Sequence, residues 1–427
     1  MKNHYTLQIA GDSMVILQTE NTESFLHSLS DELTTCAGSH VVNTQVNQNR
    51  ITIQYDSVCC SYHRLCFLLF CCFSFPGKMS QWVKIKNQIR NRFKRSAEKT
   101  EKEKNTGEKP DSPVCRLSVE KVDGRLWLRG KTAPDLHSLR YANLLVGNSA
   151  YQTCLEFYGQ STTLVFDSDC LFCLTGADRE ALLDGKKLPL YAARFARAGE
   201  KLVLGKAVDG FRSYLSIRGG LFSLEIADES KDLQEGDTIG YSSLALPDDD
   251  IRFRRVFPDD WTDEPEIRAI PGPDMQLLSE EKMRNFFTTG YTVRILEENA
   301  PISLEGNWSF STQKDEKGEE KESCCFTLPC GAICLEENRL LLFPAGERSQ
   351  DQKEKKHPIC LATVITADLP LLGQLSPGKR VHFRPVTVEA AQDLLKRRKK
   401  EYDRLSHKWN VSDLDSSEHQ KGRSHKG

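Results

Sequence analysis

A recurring phrase most restricts what this chain can fold into. "RAGEKLVLG" at 197–205 has the same form as "QEGDTIGYS" at 234–242 and "SPGKRVHFR" at 376–384. In each, a glycine turn with a charged neighbour leads into an alternating strand, the signature of antiparallel β architecture used more than once. The phrase predicts two strand-rich domains, residues 114–247 and 267–395, joined by a charged connection over 248–266. Ahead of them, "YTLQIAGDSMVILQTE" reads as a strand broken at Gly11-Asp12. "TESFLHSLSDELTTC" has Phe25, Leu26, Leu29 and Leu33 at helical spacing behind a Thr22 cap, and "RITIQYD" is again a strand. Residues 1–57 therefore read as a small β-α-β unit, which makes the chain mainly β with some α.

Between these parts, residues 58–113 are a cysteine-rich segment followed by a basic linker. The stretch Leu65 to Phe75 holds 11 apolar-rich residues, where a bilayer span needs about 20, so it reads as buried and not as a transmembrane segment. Cys59, Cys60, His63, Cys66, Cys71 and Cys72 are metal-binding types at spacings that match no standard zinc pattern, so no metal is assigned. "CLFC", Cys170 to Cys173, lies in an apolar run and reads as core packing, not redox chemistry. With 58 basic against 60 acidic residues, the whole chain has no electrostatic call for nucleic acid. The linker from Lys78 to Pro113 and the "KRRKK" helix are basic but flanked by acids. Their tethering to an anionic surface is kept as one alternative function. Fifteen cysteines in a long chain that opens without a signal-peptide core point to reduced thiols and a cytoplasmic location.

After the second strand-rich domain, residues 396–427 carry on a helix with Thr387 as cap and Ala390, Leu394 and Leu395 on one face, then a polar tail. No P-loop, no Gly-x-Ser-x-Gly elbow and no His-Glu-x-x-His motif is found.

Three blocks together carry a family resemblance: "DLHSLRYANLLVGNSAYQTCLEF", "LTGADREALLDGKKLPLYAARFARAGEKLVLG" with "RSYLSIRGGL", and "IRAIPGPDMQLLSEEKMRNFFTTGYTV", closed by "LATVITADLPLLGQLSPGKRVHFRPVTVEAA". In order and spacing they resemble the C component of prokaryotic 5-oxoprolinase. This is the KipA-like group, which shares its domain with allophanate hydrolase subunit 2 and the biotin-dependent carboxyltransferase part of urea carboxylase. The resemblance implies two cyclophilin-like β-barrel halves. It also implies partners, namely the KipI-like B component and the A component of that enzyme, and ATP as a possible cofactor of a hydrolase. Residues 1–57 are similar to the start of the KipI-like component itself.

The same resemblance shows departures. Where the family has a Val-Gln-Asp-x-Gly-Arg loop and a Gly-Ala-Met-Asp turn, this chain keeps only Gly124, Arg125 and Asp135. A Ser/Arg/Gly-rich loop is absent after "RGGL". The family's Gln-Thr-Thr-Gly-Gly-Tyr-Pro segment is replaced by "AGERSQDQKEKKHPI", in which Pro358 keeps its place. A charged loop is a poor lining for a small-molecule pocket, because Lys and Glu lose much rotamer entropy when fixed. The cleft positions that the resemblance leaves are Asn143, Glu156, Gly176, Asp178, Gly219, Gly220 and Pro358. For Asn143, a polar residue at a helix end, and Asp178, a turn former, structural and pocket roles stand equal. The expected function is a diverged, complex-forming or ligand-binding homologue with an eroded cleft. The alternative is an active component of an ATP-dependent 5-oxoprolinase, an amidohydrolase or a carboxyltransferase.

Overall fold

The computed structural model describes residues 5–20, 22–35, 40–74, 114–224, 232–242, 251, 254–256, 265–294, 301–307, 327–336, 339–344, 347–348, 358–409 and 411. The expectations about the basic linker, the "SQDQKEKKH" loop, the loop after "RGGL" and the polar tail fall largely or wholly outside these residues. The chain forms two compact units. One combines Met1–Lys109, Glu264–Asp368 and Pro377–Arg398, and the other combines Pro110–Asp263, Leu369–Ser376 and Lys399–Gly427.

The first of these opens with β1 (Tyr5–Ile9) and β2 (Met14–Thr19), then α1 (Glu23–Thr35), β3 (Val41–Asn47), β4 (Arg50–Tyr55) and α2 (Tyr62–Ser74). The strands form one antiparallel sheet in the order β1-β2-β4-β3, so two hairpins flank the helix where a β-α-β unit was expected. The added strand is β3. Its sequence "VVNTQVN" offers little apolar alternation, and its side chains are half-buried or exposed. The apolar segment after Cys59 becomes α2, with Leu65 and Leu69 fully buried against Val15, Leu17, Ile51 and Ile53.

The other unit holds ten strands: β5 (Val114–Arg129), β6 (Cys154–Phe166), β7 (Cys170–Asp178), β8 (Leu182–Leu183), β9 (Lys186–Lys187), β10 (Ala193–Ala196), β11 (Lys201–Leu204), β12 (Asp209–Ile217), β13 (Leu221–Ser223) and β14 (Thr238–Ser242). They form one sheet in which the long β6 pairs with β5, β11 and β12. Helix α3 (Leu136–Val146) crosses it. Period-two alternation separates two sets of residues. Leu155, Phe157 and Leu215 enter the main apolar core, while Cys154 and Tyr214 pack with Leu139 and Ala142 of the helix. Cys170 and Cys173 point into different apolar clusters, as residues three apart on a strand must. Burial pushes both thiols well up from their ordinary value, consistent with packing and unlike a reactive Cys-x-x-Cys pair.

The rest of the first unit is a closed barrel. Its strands are β15 (Glu266–Pro271), β16 (Gly290–Arg294), β17 (Ile302–Glu305), β19 (Ala332–Glu336), β20 (Arg339–Phe343), β22 (Ile359–Val364) and β23 (Arg380–Pro385), in the order β15-β22-β19-β20-β17-β16-β23. Two short strands, β18 (Thr327–Leu328) and β21 (Glu347–Arg348), pair beside it. Helix α4 (Glu280–Thr288) starts at Ser279, whose side chain accepts from the Lys282 amide. A one-turn α5 (Leu369–Leu372) follows the barrel strand β22 but belongs to the ten-stranded unit. Helix α6 (Val388–Lys408) follows β23, capped by Thr387 Oγ1, which accepts from the Ala390 amide at 3.3 Å. The packed face of α6 is Val388, Ala391, Leu394 and Leu395; Ala390 is exposed, a correction of one position that the 3.6-residue repeat accounts for.

The N-terminal sheet and the barrel share a core of Ala10, Met14, Ile16, Ala332, Cys334 and Phe343. A polar tie accompanies it. Asp12 accepts from the Thr366 hydroxyl at 2.7 Å and the Thr366 amide at 3.2 Å, while Gln392 Nε2 donates to the Asp12 carbonyl at 2.9 Å and Tyr55 Oη at 3.1 Å. Burial, with Asp368 nearby, raises the Asp12 carboxyl above its ordinary range despite the Thr366 bonds. The native state then holds a proton that the unfolded state has released, so this contribution is fully present below the unfolded value near 3.8 and is lost as pH rises through the folded value. We expect Asp12→Asn, which keeps one acceptor for Thr366, to flatten the fall in stability on going from pH 4 towards neutrality. Urea unfolding at a series of pH values checks this; an unchanged slope would show that Asp12 does not set it.

Candidate functional site

In the ten-stranded unit, the polar side chains gather on the face of β6 and β12 that meets α3. Asp135 precedes the helix, and its Oδ1 accepts from the Ser138 amide at 2.9 Å; at the other end, Gly147 adopts a left-handed conformation (φ 81°). These two signals fix where α3 begins and ends. They also place a carboxylate deep in the unit, because Asp135 is fully buried.

Around it lies a connected network. Ser138 Oγ donates to Asp135 Oδ2 at 2.6 Å, and Gln374 Nε2 donates to the same oxygen at 2.7 Å. The Asp135 amide donates to Tyr214 Oη at 3.2 Å. Glu156 is the cross-strand neighbour of Tyr214 on β6, and burial together with the Glu156 and Asp135 charges pushes the phenol far above its usual value. Glu156, fully buried, pairs with Arg212 at 3.5 Å, and the Arg212 guanidinium lies 5.2 Å from the Tyr158 ring and 4.9 Å from the Phe211 ring. An arginine over aromatic faces beside a carboxylate is held in one orientation by both.

The other family positions in this unit are placed as follows. Asn143 is buried; its Nδ2 donates to the carbonyls of Gln152 (2.7 Å) and Ala150 (3.4 Å), and its Oδ1 accepts from Ser216 Oγ (2.6 Å) and Asn148 Nδ2 (3.3 Å). Every hydrogen-bonding position of its amide is therefore used internally. Asn148 ties the turn after β12, accepting from the Gly219 amide at 2.9 Å, and Gly219 and Gly220 both have positive φ. Gly176 sits within β7 at φ 82°, its amide donating to Tyr191 Oη at 3.1 Å; a Cβ there would overlap the Arg212 carbonyl, so only glycine fits. Asp178 ends β7 half-buried, its carboxylate accepting from the Glu180 amide at 2.8 Å. Gly124 and Arg125 lie in β5, with Arg125 paired to Asp232 at 2.5 Å. Pro358, just before β22, belongs to the barrel-containing unit.

Four central residues were absent from the sequence expectation: Arg212, Tyr214, Gln374 and Arg179. The alternation in "RSYLSIRGGL" places Arg212, Tyr214 and Ser216 on one face, and that signal was readable. Arg179 adjoins Asp178 and looks like a surface charge, yet it is 1% exposed. It donates to Ser213 Oγ at 2.8 Å and to the carbonyls of Gly159 (2.9 Å), Gly205 (3.1 Å) and Phe211.

For ATP, the start of α3 is no phosphate cradle: the Ser138 amide there is taken by the Asp135 carboxylate, whose charge repels an anion. Among the described residues, no group of three or more His, Cys, Asp or Glu is placed to hold a metal ion. No helix of the described residues is long and apolar enough to cross a membrane.

Comparison with known proteins agrees with the fold. A family model described as "Carboxyltransferase domain, subdomain A and B" matches residues 132–385. The C subunit of Escherichia coli 5-oxoprolinase is 27% identical over 278 residues, covering 61% of this chain and 83% of that protein. The urea amidolyase of Saccharomyces cerevisiae is 23% identical over 311 residues, covering 66% of this chain but only 17% of that much longer protein. Among solved structures, the Kluyveromyces lactis urea carboxylase superposes with a TM-score of 0.57 at 20% identity, over 70% of this chain and 30% of that one. TTHA0988 superposes with a TM-score of 0.59 at 17% identity, over 90% of this chain and all of that one.

Proposed function

Since the chain belongs to the carboxyltransferase domain family, subdomains A and B, we propose that it is a diverged member which binds a partner or a small ligand and does not turn over substrate alone. One observation carries this reading: Asn143 and Asp135, two buried polar groups that the family resemblance picks out in the ten-stranded unit, are engaged by the chain itself. Asn143 uses its whole amide on Gln152, Ala150, Ser216 and Asn148, and Asp135 is committed to Ser138 and Gln374. A general acid or base has to keep a hydrogen-bonding position for the reacting group.

The partners of this reading are homologues of the KipI-like B component and of the A component of 5-oxoprolinase, in keeping with the E. coli relative being the C subunit of that enzyme. Described cysteines that are free of disulfides accord with a cytoplasmic setting. The second reading, an active component opening 5-oxoproline with ATP or transferring a carboxyl group from biotin to an amide, is favoured by the buried Glu156 beside Arg212 and Tyr214. Fold alone does not assign either chemistry.

Turnover of 5-oxoproline with ATP and magnesium, and carboxylation of small amides with a biotin carrier, separates the two. The purified full chain is expected to show neither. Turnover abolished by Glu156→Gln or Asp178→Ala would establish the second reading.

A further inference from the structure

Gln374 is a side chain bound the way a ligand is bound. It is 3% exposed. Its carbonyl oxygen accepts from two consecutive backbone amides, Phe211 at 2.8 Å and Arg212 at 3.0 Å. Its amide nitrogen donates to Asp135 Oδ2 at 2.7 Å and to the Arg212 carbonyl at 2.9 Å. Two donors face the C=O and two acceptors face the NH2, which is the full complement a primary carboxamide can use.

The surroundings are shaped to that group. Gly210, at φ 79°, lets the amide approach β12, since a Cβ there would come within 3.0 Å of Gln374 Oε1. Gly373 lets the same segment close on Asp135, since its Cβ would lie 2.8 Å from the Asp135 amide nitrogen. Asp135 is oriented by Ser138 and not only by Gln374; Phe211 and Arg212 lie in the irregular stretch of β12 between its pairs with β7 at Asp209 and Ser213, where Arg179 Nη2 holds the Phe211 carbonyl, so the receptor has supports other than its occupant. The occupant arrives on a short segment, Leu369–Ser376, which is further held by Arg212 Nη1 donating to the Gly373 carbonyl at 2.7 Å.

We propose that Asp135, the Phe211 and Arg212 amides and the Arg212 carbonyl form a preorganised primary-carboxamide subsite, filled in cis by Gln374. The inference goes beyond the family reading and stands whether or not the chain has turnover. It assigns the subsite a ligand class, an unsubstituted –CONH2 group, and gives the 369–376 segment the role of a tethered plug. Preorganised sites bind because the ordering cost is already met.

The test removes the plug and returns its lost atoms. Gln374→Ala deletes the equivalent of acetamide. The thermal midpoint of the full-length variant is expected to fall, and millimolar to molar acetamide is expected to recover at least half of the loss along a saturating curve. The wild-type midpoint should stay unmoved. Acetate, which brings a negative charge against Asp135, and N,N-dimethylacetamide, which lacks N–H donors, should recover none. Should Gln374→Ala fail to fold unaided, its refolding yield is read with and without the same three solutes, since acetamide in the emptied subsite is expected to recover folded protein and the other two are not. Equal response of the variant to acetamide and dimethylacetamide, or no response to acetamide, would overturn the proposal and leave Gln374 as a structural tie alone.

Discussion

Asp135→Ala is expected to destabilise the ten-stranded unit by about 2–4 kcal/mol. Loss of the N-cap, which is the Ser138 amide bond, costs about 1 kcal/mol, and a further buried donor left without its acceptor adds roughly 1–3 kcal/mol. That donor is one N–H of Gln374 Nε2, whose other N–H keeps the Arg212 carbonyl, while Ser138 Oγ retains Tyr191 Oη at 2.9 Å. Against these losses stands relief from burying a carboxylate, which Asp135→Asn also gives while keeping one acceptor. Asn is therefore expected to cost less than half as much as Ala. Urea unfolding, fitted with separate transitions because two compact units need not melt together, reads the shift. An Ala variant within about 1 kcal/mol of the parent would mean that the network does not hold the helix, against the usual scale for an unmade buried bond.

Arg179→Leu is the second large effect, because two opposed terms meet there. Removing the guanidinium leaves the Gly159, Gly205 and Phe211 carbonyls and Ser213 Oγ without it. It also ends the cost of keeping a cation 1% exposed, a cost visible in burial pushing the guanidinium down to about 10. Three carbonyls at a middle value of roughly 2 kcal/mol each outweigh a desolvation cost of about 3 kcal/mol. The expected net loss is about 3 kcal/mol by that balance. Arg179→Lys should lose nearly as much, since an ammonium cannot fork to acceptors spread over three strands and loops. A Leu variant as stable as the parent would show that desolvation had cancelled the bonds.

Asp135 and Arg179 differ in how far their roles can be read from the sequence. Asp135 was visible as a remnant of a family loop, and its cap role follows from "APDLHS" directly. Arg179 was not, because a charged residue after a strand ends most often in solvent, and nothing local says that three carbonyls from distant segments will converge on it. Gln374 was hidden for the same reason: "LLGQLSPG" reads as a turn, and its partners are about 160 and 240 residues away in sequence. The glycine turns, by contrast, were legible, since turn chemistry is local. The strand β3 was missed because Asn, Thr and Gln break the apolar alternation that marks a strand, and pairing with β4 supplies what its own pattern lacks. Asn143 stood equally between a structural and a pocket role, and its amide is now seen bonded to the turn and strand beside it.

The family resemblance reached further than composition or spacing. Of the positions it names, Asn143, Glu156, Gly176, Asp178, Gly219 and Gly220 lie in the ten-stranded unit and Pro358 in the other, and it does not say what the chain does with them. Glu156 and Tyr214 are buried beside the partly buried Arg212, and a binding or turnover assay tells whether that group works as a site or as a polar core.

The most direct test of a binding, partner-dependent role is the thermal midpoint of the purified full chain measured with single additions. These are ATP with magnesium, 5-oxoproline, a biotin-bearing carrier and a KipI-like homologue. A ligand of the native state at 100 times its dissociation constant adds about 2.7 kcal/mol, which is readily seen. The expected result is a rise with the KipI-like homologue or with one small ligand, without turnover of it. No rise with any addition, or a rise with 5-oxoproline and ATP accompanied by their consumption, would contradict that role.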